Sequence, residues 1–267
     1  MTVSSLRWFS PLLKSLLCLT VLWAVGGCAD QITYGHKYRR EGQQLLDNKD
    51  YANAAGSFRA AVQQDPGDYQ SQYYLGVCYE QLRQYQLAIK SYKMAMSAPL
   101  SKDDVELRPK MVDSLARCVA QYDTRDMELN ALVEEARLRP SGESHLVLAR
   151  IYRYRKDADS AMRSYQQAVA FDAKNFALHK EFGLYLLNSL DQKPQAELEL
   201  RRAYGLNSED EEVNAALRQL GVVPGPSLRD SKDLAKPPMP KGPLPDLNRP
   251  QSYRSSPSLR GPVVPRE

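Results

Sequence analysis

Residues 42–61, GQQLLDNKDYANAAGSFRAA, and residues 76–95, GVCYEQLRQYQLAIKSYKMA, are two copies of one pattern set 34 positions apart. Gly42, Tyr51, Ala54, Phe58 and Ala61 recur as Gly76, Tyr85, Ala88, Tyr92 and Ala95. A fixed period of that size marks a stack of like units, each too small to bury its apolar face except against a neighbour. The residue types carry a steric logic. Glycine allows two helices to approach, alanine sits where they nearly touch, and aromatic rings fill the gaps between. Such a stack forms a groove, and a groove of this kind binds polypeptide more often than it performs chemistry.

The pattern extends outward from these two copies. The first unit covers about 35–68 and ends in Asp65-Pro66, where proline stops a helix for want of an N–H. The second covers about 69–102. Later units lie at about 142–175, with Ala149, Tyr152, Ala161, Tyr165 and Ala168, and at about 176–210, with Gly183, Leu186, Ala196, Leu200 and Ala203. The linker Asn188 to Pro194 of the last unit is one residue longer than the others. Between them, about 109–141, is the poorest copy. Leu115, Ala116 and Val119 fit its first helix, but Glu128 and Glu135 stand where alanines are expected, and Arg125 where tyrosine is. It reads as a loosened helix pair after an insertion at Asp103 to Arg108, the alternative being a break into two subdomains. Residues 209–220, EDEEVNAALRQL, carry acids on the first turn, where the helix dipole favours them, and Val213, Ala216, Leu217 and Leu220 on one side. They read as a capping helix.

These residues resemble the tetratricopeptide repeat (TPR) family. The resemblance implies an all-α, right-handed α-solenoid of about five helix pairs over residues 35–220. It is unspecific for function, because one fold serves many unrelated partners.

Residues 1–27 read as an export signal. Arg7 and Lys14 precede an apolar run ending near Val25, shorter than the roughly 20 residues a membrane span needs. The segment ends Val25-Gly26-Gly27-Cys28, which resembles a bacterial lipobox and implies acylation of Cys28 after cleavage before it. Several acyl chains would anchor the protein stably, at about 0.8 kcal/mol per buried methylene. An ordinary secretory signal with an accidental cysteine is the alternative. Ala29, rather than aspartate, follows the cysteine and resembles outer-membrane sorting. Residues 28–34 would then form a tether of only about 20 Å.

From Gly221 to Glu267 the composition changes. Eleven of the 17 prolines fall here, with eight basic and four acidic residues. Few large apolar side chains are present to offset chain entropy, so the expectation is a disordered, extended, basic tail reaching on the order of 140 Å at about 3.1 Å per residue. It could contact the cell wall or a protein. The whole chain is +4, but the signal and the tail account for more than that, leaving the repeats near −2. A near-neutral solenoid argues against nucleic-acid binding.

Cys78 and Cys118 fall at matching repeat positions and read as small buried hydrophobes, a disulfide being the alternative. His145 and His179, 34 apart, read as core residues rather than metal ligands. No phosphate loop, His-Glu-x-x-His or Gly-x-Ser-x-Gly occurs in the sequence, so neither catalytic residues nor cofactors are expected. The second, fifth, ninth and twelfth positions of each first helix share one face, which would line the groove. That face carries Arg39 and Gln43, Tyr73 and Glu80, Asp113 and Arg117, Arg150 and Arg153, and Lys180. It reads as mixed and mildly basic, suited to extended or helical protein segments with acidic residues, the alternative being a merely solvated face. Arg39, Gln43 and Lys110 approximate a carboxylate clamp that some TPR proteins use, but Val77 and Ser114 break it. The expected function is a membrane-anchored scaffold or assembly lipoprotein of the cell envelope, of the secretion or pilus type, facing the periplasm. The alternative is an adaptor for peptidoglycan hydrolases or envelope proteases.

Overall fold

The computed structural model describes residues 34–229, apart from 102, 103, 105 and 124. The segment read as an export signal, Cys28 and the residues beyond 229 lie outside the described residues. Every regular element among the described residues is a helix. They come as five pairs. These are α1 (residues 34–47) with α2 (Tyr51–Gln64), α3 (Tyr69–Gln81) with α4 (Tyr85–Ser97), α5 (Leu107–Tyr122) with α6 (Met127–Leu138), α7 (Gly142–Tyr154) with α8 (Ala158–Phe171), and α9 (Phe176–Asn188) with α10 (Lys193–Leu206). The capping helix is α11 (Glu211–Gln219), and a single turn, α12 (Pro226–Arg229), packs back on α10. No described helix is long and apolar enough to cross a membrane.

Local chemistry sets the helix ends. Asp50, Asp68, Asp157, Asn175 and Asp210 each accept the backbone N–H three residues on, and Ser141 and Ser144 form a reciprocal capping box. Such caps are worth about 1 kcal/mol each. Every turn inside a pair bends through one left-handed residue: Lys49, Arg83, Asp126, Lys156 and Asp191, at φ between 50° and 62°. In the first, second and fourth pairs the residue after it donates to a carbonyl five back, Asp50 to Leu45, Gln84 to Tyr79 and Asp157 to Tyr152. In the fifth pair Gln192 reaches Leu186, one residue further, which is the longer linker visible in the sequence.

The steric reading of the glycines holds. A Cβ on Gly76 would lie 2.6 Å from the Tyr92 ring, and one on Gly42 2.9 Å from Phe58. Phe58 and Tyr92 pack against the first helix at these glycines, and both rings are fully buried. Two apolar clusters result, one running from α2 to α7 and one from α7 to α12. They meet inside α7, where Leu148 and Ile151 belong to the first and Ala149 to the second, while Leu146 and Tyr152 touch both. The two cores therefore share a helix instead of being separated by a linker.

The third pair corrects its sequence reading by one residue. Leu129 and Ala136, not Glu128 and Glu135, occupy the buried alanine positions, and Val133 stands where Tyr92 and Tyr165 stand elsewhere. Glu128 and Glu135 face outward, as does Arg125. The shift originates in the turn, where the left-handed residue Asp126 directly precedes α6 instead of standing two residues before it. Asp123 replaces the usual cap and accepts the N–H groups of Met127 and Leu129 at 2.8 and 2.7 Å. With Val133 in place of the ring that the second and fourth pairs carry, α5 and α6 pack loosely, although Leu129, Leu132 and Ala136 stay in the shared core. Helix α5 packs instead against α4 and α7. Arg108 at its start is clamped bidentately to Glu143 of α7, 2.7 Å for both bonds, and donates to the Met96 carbonyl at 2.6 Å. A cavity of about 600 Å³ opens between α4, α5, α6 and α7, lined in part by Met96, Leu115, Leu132 and Val147.

Candidate binding groove

Successive first helices place their three- and four-spaced residues side by side, and the candidate groove residues from Glu80 to Arg153 meet as a polar ladder. On α3, Glu80 accepts the Tyr92 hydroxyl at 2.8 Å and Arg117 of α5 at 2.9 and 3.1 Å. Arg117 also reaches Asp113 at 3.2 Å, and Asp113 accepts the Tyr154 hydroxyl of α7 at 2.8 Å. Arg150 and Arg153 approach Asp113 at 3.8 Å and turn mainly to Glu181 of α9. Glu181 takes two bonds from Arg150, at 2.8 and 2.5 Å, one from Arg153 at 3.2 Å and the Tyr165 hydroxyl at 2.8 Å. At the two ends, Arg39 pairs with Asp68 at 2.8 Å and Lys180 with Asp210 and Glu212 at 2.8 and 2.9 Å. Gln43 binds Asp47 at 3.0 Å, and Tyr73 packs against Tyr74 and Tyr92.

Two expectations change. The basic balance disappears, because Asp68, Glu80, Asp113, Glu181, Asp210 and Glu212 pair with Arg39, Arg117, Arg150, Arg153 and Lys180. Arg150 is not a groove-facing side chain. It is 8% exposed and ties the Pro109 carbonyl at the start of α5 to α9, at 2.8 Å. The electrostatics agree with a closed circuit. Burial pushes the Glu181 carboxyl up, but Arg150, Tyr165 and Arg153 outweigh it and leave it below the ordinary value. Burial first, and then the neighbouring carboxylate, hold the Tyr92 and Tyr165 hydroxyls protonated well above the ordinary range. Proteins do not leave buried charges without partners, and the ladder is built accordingly.

Sequence reasoning missed Glu181 and Tyr154, whose partners lie on neighbouring helices 28 to 41 residues away. It also missed the pocket at the C-terminal end of the same face. Ala177, Lys180, Glu181, Leu184 and Asn188 lie at helical spacing along α9 and, with Phe176, Tyr185 and Glu212, line a cavity of about 530 Å³. That spacing was available in the sequence. What hid it was the single-helix register, which admits one face per helix and stopped at Lys180.

The remaining chemistry-bearing residues are structural. Cys78 and Cys118 are buried free thiols, and burial pushes them up to about 11 and about 12. At those values they remain thiols at neutral pH, consistent with small hydrophobes. His145 stacks on Phe171 at 5.1 Å, and burial lowers it below the usual imidazole value. His179 is held at 2.7 Å by Glu199 and at 3.0 Å by the Ala173 carbonyl, with Arg202 on the other Glu199 oxygen at 2.6 Å. It is therefore a member of a buried polar cluster, not an apolar packing residue.

No curated protein sequence is matched by this chain. Among solved structures it is similar to residues 41 to the end of MamA from Desulfovibrio magneticus RS-1, at 17% identity, over 67% of this chain and 97% of that one, with a TM-score of 0.38. YrrB, a TPR protein described as having an unusual peptide-binding site, is similar at 14% identity over 68% and 90%, TM-score 0.37. A TPR repeats protein of Bacteroides fragilis NCTC 9343 is similar at 15% identity over 70% and 97%, TM-score 0.33. Residues 39–101 match the tetratricopeptide repeat family, and the helix pairing of that stretch continues in this chain to Leu206.

Proposed function

We propose that the protein is a non-catalytic scaffold whose first-helix face receives a segment of another protein, tethered to a bacterial membrane through Cys28. The observation that supports this best is the division of labour along that face. Its charges are spent on holding adjacent helices in register, which leaves a stiff wall, and its one open apolar pocket among those described on this face lies at the C-terminal end. Stacked helix pairs present an extended concave surface of this type to polypeptides. A partner would gain from apolar contact and backbone hydrogen bonding to Asn188 or Gln43 rather than from a carboxylate clamp. The envelope setting, the outer-membrane anchor and a role in secretion or pilus assembly rest on the sequence around Cys28 and belong to the same proposal.

Photocrosslinkers introduced at Gln43 and Lys110 in living cells test the groove. A discrete adduct from these sites, absent from Leu198 on a second helix, is the expected result. Capture only from Leu198 would overturn the groove. Metabolic labelling with palmitate tests the anchor: the wild-type chain incorporates label and Cys28→Ser does not. An unlabelled wild type would remove the tether from the proposal.

A further inference from the structure

We infer that the pocket at the C-terminal end of the groove receives this chain's own proline-rich segment, residues 236–245, KPPMPKGPLP. The pocket's chemistry suits such a segment. Phe176, Leu184 and Tyr185 supply an aromatic and aliphatic floor, and Ala177 leaves an open rim. Aromatic-lined grooves bind extended proline-rich chains because these have little conformational entropy left to lose. Asn188, exposed at the edge, offers an amide to the backbone carbonyls that a proline-rich chain leaves unpaired.

Charge points the same way. Arg153 and Lys180 also line the pocket, but each is already held between carboxylates, Lys180 by Asp210 and Glu212 and Arg153 by Asp113 and Glu181. The cap beside them adds Glu209 and Glu211, against Arg218 at 3.6 Å from Glu211, so the rim keeps an excess of negative charge. Glu211 and Glu212 are 86% and 62% exposed. Lys236 and Lys241 flank the apolar residues Pro237, Pro238, Met239 and Pro240, and the segment carries no acid.

Connectivity makes the docking local. Leu228 is 6% exposed and belongs to the C-terminal core, so the chain is still fastened to the last repeat where the described residues end. Helix α12 packs on α10, and α10 on α9. Two helix-packing steps of about 8–10 Å separate the point of departure from the pocket. Residues 230–235 span about 20 Å when extended. That reach covers the span, and a short tether of this kind raises the effective concentration of the segment well above that of a free peptide, so even a weak contact is populated. The docked segment would act as a tethered competitor for whatever enters that end of the groove. The inference does not depend on a partner binding there.

The test uses the full-length chain with a benzophenone amino acid at Met239, irradiated at low micromolar concentration, with crosslinked peptides mapped by mass spectrometry. The expected product is intramolecular and joins position 239 to residues 176–189. Ala177→Arg, at an exposed position, should reduce it at least about 10-fold with unchanged helical circular dichroism. Asn188→Arg, also exposed, serves if the first variant fails to fold. Raising the salt to 0.5 M should reduce the product severalfold, because the carboxylates of Glu211 and Glu212 that would attract the flanking lysines are exposed to screening. Crosslinks to other helices, crosslinks formed only between molecules, or a yield indifferent to both arginine variants would each overturn the inference. Loss of partner capture at Gln43 or Lys110 with this crosslink intact would overturn only the scaffold function proposed above.

Discussion

The second and third helix pairs are neighbours in the chain, yet they hold together in different ways. In the second, Tyr92 lies on the backbone at Gly76, is fully buried, and anchors its hydroxyl on Glu80. The pair is a closed unit. In the third, the ring is replaced by Val133 and the glycine by Ala116, and α5 and α6 drift apart. Helix α5 is then secured from outside, by Arg108 on Glu143 and by Arg150 on the Pro109 carbonyl. Arg155 performs the same service for the turn, pairing with Asp126 and donating to the Asp123 carbonyl at 2.7 Å. A repeat that loses its internal interlock keeps its place in the stack by polar clamps from the next repeat. The cost is a cavity.

Breaking the closed pair should have the largest effect. Tyr92→Ala removes a fully buried ring and should cost about 3–5 kcal/mol in urea unfolding, whereas Val133→Ala should cost about 1 kcal/mol or less. Equal losses would mean that the two pairs are held alike. Next comes the clamp. Glu181→Ala leaves Arg150 buried and without its main carboxylate, and should cost about 3 kcal/mol. Gly76→Ala places a methyl against the Tyr92 ring and should cost about 1–3 kcal/mol by overpacking, while Ala116→Ser in the third pair should be milder.

Acid sharpens the comparison further. The Glu181 carboxyl is lowered on folding, so its contribution is complete above the unfolded value of about 4.3 and fades as pH falls through the lower folded value. The urea midpoint should drop between pH 5 and pH 3, and Glu181→Gln should flatten that slope. The smallest effect expected is a gain. Leu132→Phe grows into the cavity of about 600 Å³ and should stabilise by about 0.5–2 kcal/mol, read as a higher Tm. Destabilisation would show that the cavity cannot accept a ring.

Legibility followed the range of the interaction responsible. Helix pairs, glycine–aromatic contacts, the longer fifth linker and the capping helix depend on residues within about one repeat, and periodicity exposes them. The register of α6 was missed because a one-residue change in the turn is invisible to a pattern that tolerates both phases. The groove positions were legible as positions, but not as charges. Which cation meets which carboxylate depends on helices packed side by side from different repeats.

The amino-acid sequence alone determined a stack of helical hairpins, because each hairpin's glycine, alanine and aromatic spacing encodes its own packing. Tertiary structure decided that Arg117, Arg150, Arg153 and Lys180 stabilise the wall instead of facing a ligand with unmet charge. It also decided that the open apolar space on that wall lies beside Phe176 and Leu184. Electrostatic pairing acts across space at a few ångströms, and only the folded stack brings residues 28 to 41 positions apart within that distance.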